Sequence, residues 1–329
     1  MPISNEIIVN TFMQNLGNWL VEPMRVITAM GYEQFFILLL PGIYWCFGQL
    51  LGMRVGIIFL LGNFLNYSLK FFFHSPRPYW VSDQVEAYSH ETSFGLPSGH
   101  AQIAATMWGW LAVEIKKRWF TILAIVLIFL IGFSRLFLGV HFLSDVLLGW
   151  ILGGLTVWGF ASYHENAAGW FRERTTGTKL KIIALSTLVM IGVVLGLRLV
   201  NNDWQMPESW AARAGDAAPY NLEDAFTMTG SWFGMLSGFV ILKGSKGFFL
   251  ANEGGWKRLA RLFVGLVGLF ILYFGLGQLF PDNSDFTSYF LRFFRYTLIG
   301  LWVSWWGPIV FEKIHLLKFE KIMKAYEYS

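Results

Sequence analysis

Two histidines and an aspartate lie at spacings that suit phosphoryl transfer. His141 and Asp145 are four residues apart, so on one helix they would share a face. The aspartate could then accept the proton of one ring nitrogen and leave the other nitrogen free to attack. His100 directly follows Ser98 and Gly99, where it is placed to protonate a leaving oxygen. These residues predict a nucleophile, its orienting partner and a general acid.

Three basic residues supply the positive charge that this reaction needs. Lys70 and Arg77 lie in the segment KFFFHSPRP, and Arg135 lies in SRLFLGVHFLSD. Arginine offers paired donors to phosphate oxygens, and the N–H groups at a helix start at Ser98 and Gly99 would bind an anion. The predicted phosphate-binding residues are therefore Lys70, Arg77, Ser98, Gly99 and Arg135. The sequence carries no carboxylate cluster typical of a divalent-metal site, so we expect no metal and no other cofactor.

Together these segments resemble the three-part signature of the type-2 phosphatidic acid phosphatase superfamily, which also contains vanadium-dependent haloperoxidases. The matching residues are Lys70, Arg77 and Pro78, then Pro97 to His100, and finally Ser134, Arg135, His141 and Asp145. The resemblance implies a helical bundle, a phosphohistidine on His141, and His100 as the acid for the leaving group. Beyond about residue 160, the span count and the segment 222–238 loosely resemble sphingosine-1-phosphate phosphatases and glucose-6-phosphatases.

The elements that must carry these residues are membrane-spanning helices. Hydrophobic residues make up 55% of the 329 and charged residues only 14%, and the mean hydropathy is +0.50. Soluble globular proteins carry about 25% charged residues. The charges are clustered, which leaves apolar runs of about the 20 residues that a helix needs to cross hydrocarbon. We therefore predict an all-α fold, a polytopic transmembrane helical bundle of about nine spans with a type-2 phosphatidic acid phosphatase core.

The apolar runs divide the chain into predicted spans and three parts. The spans lie near residues 33–50, 53–72, 99–115, 119–138, 141–161, 180–200, 225–242, 258–279 and 289–310. Residues 1–30 are predicted to form an N-terminal interfacial segment, residues 31–165 the catalytic membrane core, and residues 166–329 a C-terminal transmembrane extension. Cys46 is the single cysteine, so no disulfide within the chain is possible.

Basic residues are distributed unevenly between the loops that these spans create. Of the 25 Lys and Arg residues, 17 fall on one side and 8 on the other. The 17 are Arg54, Lys116, Lys117, Arg118, Arg172, Arg174, Lys179, Lys181, Lys243, Lys246, Lys257, Arg258, Arg261, Lys313, Lys318, Lys321 and Lys324. By the positive-inside rule, the side with 17 is cytoplasmic. The N-terminus and all three motifs are then predicted on the non-cytoplasmic face of a bacterial inner membrane or an endoplasmic reticulum, with the C-terminus in the cytoplasm.

The leading functional hypothesis is a membrane phosphatase, independent of metal, that hydrolyses a lipid phosphate monoester or diphosphate. Its expected partners are membrane lipids and a phosphorylated amphiphilic substrate. No nucleic-acid partner is expected, because the Lys and Arg residues of a membrane protein are explained first by its orientation in the membrane. The alternatives are a phosphatase for a soluble sugar phosphate, a lipid phosphotransferase, and an anion transporter or binding protein. A transporter would more often place its charges near the bilayer midplane. The sequence does not choose among phosphosphingoid bases, polyprenyl diphosphates, phosphatidate and phosphatidylglycerophosphate.

Overall fold

The computed structural model describes residues 3–249, 254–281, 283 and 285–320, with the side chain of Glu33 excepted. These residues are mostly helical and contain no β-strand, and an isolated bridge joins Phe248 and Glu320. The prediction of a helical fold is confirmed for this part of the chain. Two of the basic residues used to predict the orientation, Lys321 and Lys324, lie outside the described residues.

The α-helices of the described residues are numbered in chain order. They are α1 (Ile3–Gln14), α2 (Val21–Ala29), α3 (Glu33–Phe47), α4 (Gln49–Phe73), α5 (Pro78–Val81), α6 (Gly99–Ile115), α7 (Arg118–Phe137), α8 (Leu143–Arg172), α9 (Thr176–Val200), α10 (Glu208–Ala214), α11 (Glu223–Lys246), α12 (Gly255–Phe270), α13 (Leu276–Leu279), α14 (Phe286–Leu301) and α15 (Gly307–Lys313). A 3-10 turn, Asn18–Leu20, precedes α2. Two π-helical turns, Ile271–Gly275 and Trp302–Trp306, follow α12 and α14.

Six helical segments of the described chain are long and apolar enough to cross a membrane. They are Gln49–Val81, Arg118–Phe137, Leu143–Arg172, Thr176–Val200, Glu223–Lys246 and Gly255–Leu279, and the bent pair Asn18–Ala29 with Gln34–Phe47 would make a seventh. The prediction of nine spans is therefore not confirmed. The predicted ninth span lies in the continuous helical run Phe286–Lys313, which is long enough but is not among the six apolar segments. At the predicted first and third spans, α3 and α6 have 15 and 17 residues. These lengths fall short of the roughly 20 residues that a span needs.

Exposed apolar side chains cover the outer faces of the long helices. On α7, Ile122, Ile125 and Phe129 are 54%, 62% and 56% exposed. A continuous apolar surface of this kind is unfavourable in water and favourable against lipid tails. The chain is therefore an integral membrane protein.

Residue contacts divide the chain into two compact units. One consists of Met1–Phe36, Leu61–Tyr163 and Val193–Asn221, and it contains every predicted site residue. Its largest buried side chains include Trp80, Phe94 and Phe137. The other consists of Ile37–Leu60, His164–Gly192 and Leu222–Ser329, and it has its own aromatic core around Trp45 and Phe311.

Close packing of α6 against α8 positions the candidate site. A Cβ at Gly149 would lie 2.8 Å from the carbonyl oxygen of Ser98, and one at Gly153 would lie 2.6 Å from that of Gln102. Only glycine lets the two helix backbones approach this closely. The N–H of Ser98 consequently donates to the carbonyl of Asp145 at 3.0 Å, which joins the start of α6 to the start of α8.

Candidate active site

His141 lies in the connection between α7 and α8. Its Nδ1 is 3.2 Å from Asp145 Oδ2, and the same oxygen accepts the N–H of Phe142 at 2.9 Å. Asp145 is the third residue of α8 and bonds back to the residue before the helix, as in a capping box. The expectation that His141 and Asp145 share one helix is wrong, because α8 begins only at Leu143. Their contact forms instead through this helix cap.

Arg77 determines the tautomer of the His141 ring. Its Nη1 is 3.2 Å from His141 Nε2. Because arginine can only donate, Nε2 accepts, and the hydrogen of the neutral ring then lies on Nδ1 and faces Asp145. Burial, followed by the positive charges of Arg77, Arg135 and Lys70, lowers the pKa of His141 well below its ordinary value. The ring is therefore neutral, with a lone pair on Nε2.

The loop before α6 supplies acceptors to the buried cations of the first motif. Lys70, in the last turn of α4, donates to Ser93 Oγ and to the carbonyl of Phe94, both at 2.8 Å. Arg77 donates to the carbonyls of Ser93 at 2.7 Å, Phe94 at 3.1 Å and Val140 at 2.8 Å. Arg77 is fully buried, and a buried guanidinium is tolerated only when its donors are bonded. These carbonyls therefore hold Arg77 against the imidazole.

Arg135, in the last turn of α7, contacts two side chains that the sequence reasoning missed. Its Nη1 donates to Thr28 Oγ1 at 2.6 Å, and its Nη2 forms an ion pair with Glu91. Burial alone would raise the pKa of Glu91, but the charges of Arg135 and Arg77 lower it well below its ordinary value. Glu91 is therefore ionised. Arg135 Nε is buried and has no hydrogen-bond partner among the described residues, so it can bond an incoming anion.

The start of α6 presents further donors. Ser98 caps this helix, since its Oγ accepts the N–H of Ala101 at 3.4 Å. The N–H groups of Gly99 and His100 are the first two of the helix and have no carbonyl within it to bond. Within the described ranges, His100 Nε2 is also buried without a hydrogen-bond partner. The charges of Arg135, Glu91, Lys70 and Arg77 all act on His100.

The residues between α2 and α3 enclose His100. The ring of Tyr32 meets the His100 ring edge to face, with 5.0 Å between the centroids. A Cβ at Gly31 would lie 2.2 Å from His100 Cδ2, so only glycine leaves the imidazole in its place. Neither Gly31 nor Tyr32 belongs to a motif in the sequence, and this contact carried no signal there.

The structure brings all of the predicted site residues together within one unit. They are His141, His100, Asp145, Lys70, Arg77, Ser98, Gly99 and Arg135. Glu91, Thr28 and Gly31 join them without having been predicted. Only Glu91 carried a signal, as an acidic residue in the polar loop that leads to the second motif. No group of three or more His, Cys, Asp or Glu in the part of the chain that the structure describes could hold a metal ion.

Known proteins resemble this chain over both its halves. The PAP2 superfamily profile matches residues 51–169, which include all of these site residues except Thr28 and Gly31, and the profile of the PAP2 superfamily phosphatase transmembrane extension matches residues 226–320. Phosphatidylglycerophosphatase B of Bacillus subtilis (strain 168) is 32% identical over 148 residues, which cover 41% of this chain and 70% of that protein. The chain belongs to the PAP2 superfamily. The predicted family is thereby confirmed.

Two further comparisons show how far the PAP2 likeness extends. Human glucose-6-phosphatase 2 is 26% identical over 312 residues, which cover 82% of this chain and 84% of that protein. The crystal structure of a transmembrane PAP2 type phosphatidylglycerolphosphate phosphatase from Bacillus subtilis aligns with a TM-score of 0.44 and 29% identity, covering 50% of this chain and 86% of that one. The matches to the PAP2 superfamily and to its phosphatase transmembrane extension place this chain in a family of membrane phosphatases.

Proposed function

We propose that this PAP2 protein is a phosphatase in which His141 forms a phosphohistidine without help from a metal ion. The observation that supports this most is the pair of contacts on the His141 ring. Asp145 lies 3.2 Å from Nδ1, and Arg77 lies 3.2 Å from Nε2. The ring is oriented at one nitrogen and keeps a lone pair at the other, as nucleophilic attack on phosphorus requires.

In the first step, the hydrogen bond from Arg77 Nη1 to His141 Nε2 is released, Nε2 attacks phosphorus with its lone pair, and the bond from phosphorus to the leaving oxygen breaks. His100 gives its proton to that oxygen, so a monoester releases an alcohol and a diphosphate releases a phosphate monoester. Arg135 Nε, the Gly99 N–H and Lys70 stabilise the charge on the phosphoryl oxygens. The negative charge of the bound phosphate in turn stabilises the protonated form of His100.

In the second step, water hydrolyses the phosphohistidine. His100, now neutral, takes a proton from the water, whose oxygen attacks phosphorus. The nitrogen–phosphorus bond breaks, inorganic phosphate leaves, and Nε2 of His141 recovers its lone pair. Asp145 holds the ring through both steps, and its negative charge stabilises the positive charge that develops on the imidazole.

We propose a lipid phosphate monoester or diphosphate as the substrate. Lys70 and Arg135 both lie in the last turn of a long apolar helix, which supports a site near the end of these helices. An amphiphile could keep its tail in the bilayer there while its phosphate enters the basic site. The name of the related phosphatidylglycerophosphatase B supports a lipid phosphate.

A soluble sugar phosphate is the second candidate substrate. It is supported by the likeness to glucose-6-phosphatase 2, which spans 82% of this chain rather than the PAP2 core alone. A panel that compares phosphatidylglycerophosphate, a phosphosphingoid base and a polyprenyl diphosphate with glucose 6-phosphate separates the two candidates. The substrate class with the higher kcat/KM is the one the enzyme uses. A lipid-like alcohol added as acceptor detects any phosphotransferase activity.

We further propose that the site faces away from the cytoplasm. Three of the 8 basic residues on that side are Lys70, Arg77 and Arg135, which leaves 5 to set against the 17 on the other side. Cysteine placed at Asp203, in a Cys46→Ala background, should react with an impermeant maleimide on intact cells or sealed vesicles of known orientation. Cysteine at Glu173 should react only after the membrane is opened, and the reverse pattern would overturn the orientation.

Phosphate release by purified protein in excess chelator tests the chemistry. His141→Ala should abolish turnover, and orthovanadate, which adopts the geometry of the transition state, should inhibit the unaltered protein. If His141→Ala kept full turnover, the proposed nucleophile would be wrong. If chelator stopped the reaction and a divalent ion restored it, the proposed independence of metal would be wrong.

A further inference from the structure

Helix α1 carries a polar face that is buried. Glu6 and Asn10 are four residues apart, Gln14 follows after four more, and side chains at this spacing lie on one side of a helix. Glu6 is 4% exposed and Asn10 is 0% exposed. Burying polar groups costs free energy unless hydrogen bonds replace their bonds to water. The partners of these three side chains therefore reveal what the face of α1 is for.

All three side chains bond to the backbone around the proposed nucleophile. Asn10 Nδ2 donates to the carbonyl of Leu136 at 2.9 Å and to the carbonyl of His141 itself at 3.0 Å. Gln14 Nε2 donates to the carbonyl of Phe137 at 3.1 Å. On the far side, Glu6 Oε2 accepts a backbone N–H in the first turn of α8 at 3.0 Å. The face of α1 thus spans the whole connection between α7 and α8.

This connection needs such support because it lacks regular structure. Helix α7 ends at Phe137 and α8 starts at Leu143, and Gly139 between them adopts a φ of 74°. The last carbonyls of a helix have no partner within it. The carbonyl of Leu136 accepts the N–H of Gly139 at 3.1 Å, and the amide of Gln14 supplies a donor to the carbonyl of Phe137. The amide of Asn10 adds a second donor to Leu136 and extends the bonding to the residue that must attack.

We propose that Asn10 is a positioning residue for the reaction. By bonding the His141 carbonyl and the end of α7 with one amide, it holds the peptide from which the imidazole projects. This inference rests on the proposed role of His141 as nucleophile. Asn10 acts through that residue and touches no reacting atom. It lies outside residues 51–169, which match the PAP2 superfamily.

Asn10→Ala removes both donors and leaves the charged groups of the site unchanged. Displacing a reacting group by about 1 Å costs up to about 100-fold in rate, so we expect kcat to fall by about 10- to 100-fold. Phosphate binding uses other residues, so KM for para-nitrophenyl phosphate and inhibition by inorganic phosphate should change less than about threefold. Asn5→Ala, an exposed asparagine on the same helix, serves as the matched control and should keep the activity of the unaltered protein.

Gln14→Ala separates positioning from a general loss of stability. Gln14 bonds the same connection and the backbone of Glu86, but it does not bond His141. We expect Gln14→Ala to lower the melting temperature about as much as Asn10→Ala while keeping at least about five times its kcat. If the alanine variant does not purify as a folded protein, Asn10→Ser is measured against the same criteria, since a serine hydroxyl is too short to bond both carbonyls.

Two results would overturn the inference. One is a folded Asn10 variant whose kcat stays within about threefold of the unaltered protein. The other is a loss of kcat that follows the melting temperature equally in the Asn10 and Gln14 variants, which would make α1 a structural support only. Failure of the proposed function is recognised separately, because His141→Ala would then retain turnover whatever the Asn10 variants do.

Discussion

Exchanging Asp145 for asparagine tests how the proposed nucleophile is held. One oxygen of Asp145, Oδ2, accepts both the His141 ring at 3.2 Å and the N–H of Phe142 at 2.9 Å. An asparagine oxygen can take this position and keep both bonds. The exchange then removes the negative charge and leaves the tautomer of His141 as it is. Alanine removes the charge and the bonds together.

The expected losses follow from the strengths of these bonds. A hydrogen bond to a charged group contributes about 1.5–3 kcal/mol, and one between neutral groups contributes about 0.5–1.5 kcal/mol. Asp145→Asn should therefore cost about 1–1.5 kcal/mol in the transition state, or roughly 5- to 13-fold in kcat. Asp145→Ala should cost about 1.5–3 kcal/mol, or roughly 13- to 160-fold.

The assay is steady-state hydrolysis of para-nitrophenyl phosphate, with inhibition by inorganic phosphate as the measure of binding. Both variants should keep the phosphate inhibition constant, and Asp203→Asn, at an exposed position, should behave like the unaltered protein. A loss of about 10⁴-fold in Asp145→Asn, the size seen when a histidine is held in the wrong tautomer, would refute the reasoning. Equal activity of all three variants would remove Asp145 from the mechanism.

Three other predictions concern the groups around the ring. Gly31→Ala should displace His100 and slow esters with poor leaving groups far more than nitrophenyl esters, and an equal loss for both would exclude an effect on the general acid. A lowered pKa keeps His141 neutral to more acidic pH, so the acid limb of kcat/KM should lie below about 6.5, and a limb above that value would contradict the assignment. Glu91→Gln removes the anion paired with Arg135, so inorganic phosphate should inhibit about 5- to 10-fold more strongly, whereas weaker inhibition would show that Glu91 aids phosphate binding.

Local features of this protein could be predicted because their causes are local. The membrane location follows from long apolar runs, and the grouping of Arg135, His141 and Asp145 follows from their placement within a dozen residues. The number and bounds of the spans were harder to predict, because an apolar run predicts a buried or lipid-facing helix but does not define where that helix ends. Helix α6 stops at 17 residues, and α8 starts after His141 rather than with it.

The proposed reactive groups could be named from the sequence alone, since residue type and short spacing define what a histidine, an aspartate and three cations can do. Only the tertiary structure decided what holds them. Asn10 meets His141 across 131 residues of chain, and Thr28 meets Arg135 across 107. Such contacts have no periodicity and no local motif, because they depend on which helix faces meet when the whole unit packs. The carbonyls that bind Arg77 are equally invisible in the sequence, since every residue has a carbonyl and only the fold aims it.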